Sequence, residues 1–252
     1  MFFLLDSKNV LGRGFIKFTA FISYKSVLAR RAKMLFGSQF ILACTYGGKV
    51  GFLTEELEPT TVLFRPAVRA TDFELWQCKP ASGSDCKDIS AFKKVSAKLV
   101  PIVNGAMYAF VTNNYDKRMH YVVKGKKGSR TIASGFVVGK MDEMPSTRND
   151  DIIEFTTHKE PVFSWQKEQE KPYWISFLMI HDYSKMISGI YSFLDAWQFP
   201  EVDVDVPYYY HERRPIPQLK DGQEYEAVYM AIDQQGWVTQ LAKHNWVQKP
   251  SV

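Results

Sequence analysis

Apolar and polar positions along the chain fall mostly into short alternating runs, and only a few stretches carry helical spacing. One of those few is residues 23–36. Tyr24, Val27, Leu28, Arg31 and Leu35 follow the i, i+3, i+4, i+7 pattern, Ser23 can cap the start, and Gly37 stands past the end. Residues 89–99 read as a short amphipathic helix with Lys93, Lys94 and Lys98 on one side, limited by Pro101. Residues 183–197 read as a third, with Met186, Ile187, Ile190, Leu194 and Trp197 on one face and Pro200 beyond.

The remaining periodic segments predict strands. They fall at 39–46 and 50–54, joined through Gly47-Gly48-Lys49 as a hairpin, then at 61–65, 73–77, 101–112, 120–124 and 130–138. Further strands are expected at 152–156, 174–180 and 201–206, the last alternating Glu201, Asp203 and Asp205 with valines. A hairpin around Asp233-Gln234-Gln235-Gly236 joins 225–232 to 237–240. Strands outnumber helices and do not alternate with them. The expected class is therefore α+β, with a largely antiparallel or mixed sheet and about three helices. The polar stretch 142–151 reads as a linker or long loop, dividing the chain into a basic part, 1–140, and an acidic part, 141–252; a single mixed domain also fits.

Charge adds to this division. The net charge is +5. Residues 1–140 hold 22 Lys and Arg against 9 Asp and Glu, whereas residues 141–252 hold 10 against 18. Such asymmetry suits a polyanionic partner for the basic part, because each neutralised phosphate releases condensed counterions. It also suits docking of one half on the other, between copies. Hydrophobic residues at 46% are enough for a core, and no apolar run is long enough for a signal peptide or membrane span. Three cysteines, Cys44, Cys78 and Cys86, form no disulfide framework, so a reducing, cytoplasmic setting is expected; Cys78 and Cys86 are close enough in sequence to pair if oxidised.

Chemistry-bearing motifs are few. The run Lys124-Gly125-Lys126-Lys127-Gly128-Ser129-Arg130 sets cations and glycines between two strands, a pattern suited to phosphates, and Lys117 and Arg118 can extend it. With Lys25, Arg30, Arg31 and Lys33 on the first helix, Lys124, Lys126, Lys127 and Arg130 form the expected nucleic-acid-binding set. Tyr208, Tyr209, Tyr210, Arg213 and Arg214, bracketed by prolines, read as an extended interface loop. The stretch Arg13–Phe18 does not fit the RNP1 pattern, since Ile16 and Lys17 stand where a small and an aromatic residue belong. Gly48-Lys49 lacks the remainder of a P-loop, and neither GxSxG nor HExxH occurs. His181-Asp182 is a weak acid–base pair, because neighbours on a strand point to opposite faces. No catalytic residue, metal or cofactor is expected.

The expectation is a non-enzymatic RNA- or DNA-binding subunit of a prokaryotic, plasmid or phage nucleoprotein complex. Its basic part would hold nucleic acid and its acidic part other subunits, away from membranes. The alternatives are a virion or other structural assembly protein, self-associating through its two halves, and a metal-dependent nuclease without a recognisable motif.

Overall fold

Side chains on β-strands point alternately to opposite faces, so a strand with no alternation in burial must be covered on both sides. That is the state of several strands in the computed structural model, which describes residues 41–67, 69–80, 86, 89–115, 118–156, 161–166, 175–192, 196–199, 208–211 and 218–249. The strands are β1 (Leu42–Gly48), β2 (Glu58–Arg65), β3 (Thr71–Cys78), β4 (Lys93–Val95), β5 (Lys98–Ile102), β6 (Met107–Val111), β7 (Met119–Lys127), β8 (Arg130–Ala133) and β9 (Val137–Gly139). The second half supplies β10 (Thr147–Arg148), β11 (Ile153–Thr156), β12 (Val162–Trp165), β13 (Ile175–His181), β14 (Met186–Ser192), β15 (Ala196–Gln198), β16 (Tyr208–His211), β17 (Glu224–Ile232) and β18 (Val238–Val247).

These strands form four sheets, in the orders β4-β3-β7-β8, β1-β2-β6-β5, β10-β18-β17-β13-β14-β16 and β11-β12-β15, with β9 also on β7. The first two sheets face each other as strands A-B-E-D face C′-C-F-G in an immunoglobulin-type Greek-key sandwich. The last two repeat the scheme: β11-β12-β15 faces β18-β17-β13-β14, with β16 added beyond β14 and β10 laid parallel to β18.

Alternating side chains show how the sheets stack. On β2, Val62 and Phe64 point to a core with Leu75, Tyr121 and Val123 of the basic outer sheet. Leu63, on the opposite face, joins Cys44, Tyr46 and Met107 in a core with Phe177, Met179, Val228 and Leu241 of the six-stranded sheet. That sheet turns Leu178, Ile180 and Tyr229 the other way, onto Phe163 and Trp165 of β12. The order is outer sheet, inner sheet, inner sheet, outer sheet, with an apolar core in each of three gaps. The two sandwiches thus share their central core.

This architecture corrects the expected class. The structure is nearly all β, 60% strand and 4% helical, without α-helix among the described residues. Residues 89–99 fold as a single 3-10 turn, Ile89–Ala91, followed by β4 and the start of β5. Their apolar spacing serves two strands that turn side chains to opposite faces. Within 183–197, Met186–Ser192 form β14 and Ala196 and Trp197 begin β15 where a helix was expected, and Leu194 lies outside the described residues. Met186 to Ile190 are all buried because β14 lies in an inner sheet, and a strand covered on both faces gives apolar residues at helical spacings as readily as at alternate ones. The 23–36 helix and the 201–206 strand lie outside the described residues.

The strands expected at 61–65, 73–77, 120–124, 152–156, 174–180 and 225–232 are found, with shifted ends. Residues 50–54 are not a strand: β1 pairs with β2, and the loop between them is held by Glu58, whose Oε1 accepts from the amides of Phe52 (2.8 Å) and Leu53 (3.1 Å). The 101–112 segment is divided by a turn into the ends of β5 and all of β6. The 142–151 segment is built into the second sandwich: Thr147 pairs with Gln240, and the Asn149 amide donates to the Leu241 carbonyl at 3.0 Å.

Backbone and side-chain contacts tie the sandwiches where β17 turns into β18. The Thr45 amide donates to the Gly236 carbonyl (2.8 Å), and the Val138 amide to that of Gln235 (3.0 Å). The ammonium of Lys140 pairs with Asp233, whose other carboxylate oxygen accepts from the amides of Gln235 (2.8 Å) and Trp237 (3.0 Å). Gly236 sits at φ +79°, and a Cβ there would come within 2.7 Å of Val137, so the junction requires glycine.

Candidate nucleic-acid interface

The outward face of the basic outer sheet is set by alternation. On β3, Phe73 and Leu75 point inward, which turns Glu74, Trp76 and Cys78 outward. On β7, Tyr121 and Val123 point inward, and Val122, Lys124 and Lys126 outward. Pairing places Lys124 beside Glu74 and Lys94 of β4 beside Trp76. Of the cations on these strands, alternation turns Lys94, Lys124 and Lys126 to this face, against Asp72 and Glu74, while Lys127 and Arg130 pair at the hairpin end.

Its centre is Trp76. The Lys124 ammonium lies 3.4 Å from the centroid of the indole ring, a cation–π contact. The indole N–H donates to Glu74 Oε2 (3.1 Å), and Lys94 Nζ donates to Glu74 Oε1 (2.7 Å). These two bonds, Lys94 first, hold the Glu74 carboxyl below the usual carboxylate range. Lys126 approaches Asp72 at 3.4 Å. Together Asp72, Glu74, Trp76, Lys124, Lys126 and Thr131 line an open cleft of about 210 Å³.

Beside the cleft, Trp76 and Val122 pack on a Cys78–Cys86 disulfide and Phe92. Phe136, 43% exposed, stacks on Phe92 with ring centroids 5.3 Å apart. Cys44 is the one free cysteine; burial pushes its thiol up to about 12, so it is inert in the folded chain.

Of the expected binding set, the structure brings Lys124 and Lys126 onto one face and places Lys127 opposite Arg130 at the hairpin end. Gly128, at φ +61°, makes the tip. Gly125 serves packing rather than ligand approach, since a Cβ there would meet the Phe73 ring at 2.8 Å. Arg118 reaches Glu143 (2.8 Å) and Gln235 (3.2 Å), so it braces the junction instead of extending the patch. Lys25, Arg30, Arg31, Lys33, Lys117, Arg213 and Arg214 lie outside the described residues. Tyr208, Tyr209 and Tyr210 fall on β16, a strand on the edge of the six-stranded sheet, where an extended loop was expected. Sequence reading missed Trp76 and Lys94 as a site; the alternation of Glu74 and Trp76 against Phe73 and Leu75 was the available signal.

A second polar cluster lies where β17 and β18 meet β13. His181 Nε2 lies 2.9 Å from Glu226 Oε1, and Nδ1 accepts from the Tyr183 amide at 3.1 Å. Asp182 instead accepts from the amides of Ser184 and Lys185 in the turn, so His181 and Asp182 do not converge. Among the described residues no group of three or more His, Cys, Asp or Glu is placed to hold a metal. Nor does any helix among them have the length and apolarity to cross a membrane.

Glu226 of this cluster, with Asp150 and His244, shapes the acid response. Burial pushes the Glu226 carboxyl up, but the His181 bond and the Lys243 charge outweigh it and leave it low. Asp150 is likewise held low: burial raises it, and Arg148 and the Lys243 amide more than compensate. His244 is lowered by burial, opposed by Asp150. All three folded values lie below the unfolded ones, so each group's stabilisation is complete above its unfolded pKa and is lost as pH falls through the folded value. Thermal midpoints should therefore decline below pH 6.5, the ordinary histidine value, and again below about pH 4 as the carboxylates protonate. His244→Phe, which keeps the ring against Phe155, should remove the upper step; persistence of that step in melts of the variant would assign it elsewhere.

No family model and no curated protein matches the sequence. Solved structures give weak similarities. The FN1–FN3 domains of chicken CNTN1 align with a TM-score of 0.31 and 11% identity, over 76% of this chain and 62% of that one. A two-domain fibronectin type-III segment of chicken tenascin gives 0.23 and 12%, over 77% and 94%, and the chicken interferon gamma receptor alpha chain 0.24 and 11%, over 82% and 97%. The chain thus spans about three fifths of the first of these. Scores this low assign it neither a family nor a function.

Proposed function

We propose that this chain binds nucleic acid through the outward face of the β4-β3-β7-β8 sheet, without catalysing a reaction, as a subunit of a prokaryotic, plasmid or phage nucleoprotein complex. The observation that carries this reading is the Lys124–Trp76 contact, set among Lys94 and Lys126 on a sheet with a cationic excess. Cations supply phosphate affinity, and an aromatic ring among them supplies a surface for bases. Asp72 and Glu74 fix the directions of Lys126 and Lys94 and so space the positive charges. The acidic second half and the β16 edge are the surfaces left for protein neighbours.

Affinity for labelled RNA and DNA should fall steeply with salt. Replacing Lys124, Lys126, Lys127 and Arg130 by alanine should flatten the log–log salt dependence by about three. Absence of binding by the parent chain at low salt would refute the reading.

The disulfide bears on location. Such bonds persist in oxidising settings, virion surfaces included, and are rare in the cytoplasm. It therefore favours an oxidising setting over the cytoplasm. Thiol counting on protein taken from its native compartment, denatured without reductant, separates the two. Reaction of Cys44 alone indicates an oxidising setting, and reaction of Cys44, Cys78 and Cys86 indicates the cytoplasm.

A further inference from the structure

We infer that the nucleic acid taken by this face is single-stranded, with Trp76 as its stacking platform and Lys124 as the group a base displaces. This rests on the nucleic-acid reading above and narrows it. The indole is fixed in orientation at its edge by the bond to Glu74, so the platform is ordered before a ligand arrives. Its outward face is occupied by an ammonium group, 3.4 Å from the centroid. An ammonium on a four-carbon stem is easily redirected. A base that settles on the ring moves Lys124 aside and leaves its charge next to the phosphate of the same nucleotide. Lys94 and Lys126 stand 60% exposed on the same face, paired with Glu74 and Asp72, and an exposed pair of this kind is weak enough for a neighbouring phosphate to take the ammonium over.

Duplexes do not fit this arrangement. Their base faces are buried in the stack, and a sheet face with a flush indole inserts nothing into a groove. Single strands offer base faces freely, and each base stacked on an aromatic side chain contributes sequence-tolerant affinity. Phe136, stacked on Phe92 beside the same disulfide cluster and 43% exposed, provides a further ring on this side of the molecule.

The test uses the full chain with fluorescently labelled single-stranded oligonucleotides of mixed sequence, their duplexes, and heparin as an anionic chain without bases. Trp76→Ala should weaken single-strand binding roughly five- to hundredfold while leaving the salt slope unchanged, because the phosphate contacts remain. Trp76→Phe should retain most of the affinity, which guards against a folding defect in the alanine variant. Lys124→Ala with Lys126→Ala should lower the slope instead. Equal binding of single strands and duplexes, indifferent to Trp76→Ala, overturns the inference and leaves the nucleic-acid reading standing. Heparin bound as tightly as single strands, again indifferent to Trp76, overturns it in favour of a general polyanion surface. No binding to any nucleic acid overturns both.

Discussion

Phe177→Ala should destabilise the whole chain by about 3–5 kcal/mol and melt both sandwiches in one transition. The ring is 3% exposed and lies in the central core between the inner sheets, among Cys44, Tyr46 and Leu63 from the first half and Met179, Met186 and Val228 from the second. Truncation removes the transfer free energy of the ring and leaves a cavity that two packed sheets cannot collapse to fill. Interfaces between domains of one chain are commonly modest and polar, and such domains move and unfold separately. Here the interface is a core of the same kind as those inside each sandwich. Denaturation followed by far-ultraviolet circular dichroism and by tryptophan emission should give coincident curves in both parent and variant. A variant whose first sandwich melts apart from its second would show that the central core is only a contact surface.

Asp233→Ala should cost a comparable amount, about 3–5 kcal/mol, for electrostatic reasons. Its side chain is 3% exposed and that of Lys140 is 13% exposed. Removing the carboxylate leaves an ammonium with little water and also frees the amides of Gln235 and Trp237. Asp233→Asn separates these contributions, since an amide oxygen can still accept from the turn while the ion pair is lost. Adding Lys140→Met to Asp233→Asn should recover part of the loss, because an apolar side chain avoids the uncompensated charge. If chemical denaturation finds Asp233→Ala within about 0.5 kcal/mol of the parent, the pair behaves as a surface one and the junction is held by its other contacts.

Much of the strand pattern is legible in the amino-acid sequence, and the reason lies in the outer sheets. On β3 and β7 one face meets a core and the other, apart from the Cys78–Val122 end, meets solvent, so polarity alternates along much of each strand. In the inner sheets β2, β13 and β17 are legible instead as short apolar runs, and β14 is not. Residues 186–190 are buried without interruption, and their apolar spacing fits a helix as well as a strand, because local sequence does not reveal that a core lies on either side. The 89–99 segment misleads for the opposite reason: β4 and β5 are short and largely exposed, so their few apolar residues happen to fall at helical intervals. The basic hairpin of Lys124 to Arg130 is visible as composition. Trp76, forty-eight positions before Lys124, is not visible as its partner, because adjacency across β3 and β7 is a property of pairing and leaves no trace in local sequence.

The shared central core also bears on how the chain is made. Synthesis delivers the first sandwich before the second, and one sheet of that sandwich, carrying Tyr46, Leu63 and Met107, has its outer side meant for a partner that does not yet exist. At ordinary elongation rates the remaining hundred or so residues take on the order of 5–20 s to emerge. For that interval the nascent protein displays a broad apolar sheet to the cell, and it is in those seconds, rather than in the finished molecule, that chaperone capture and aggregation compete for it.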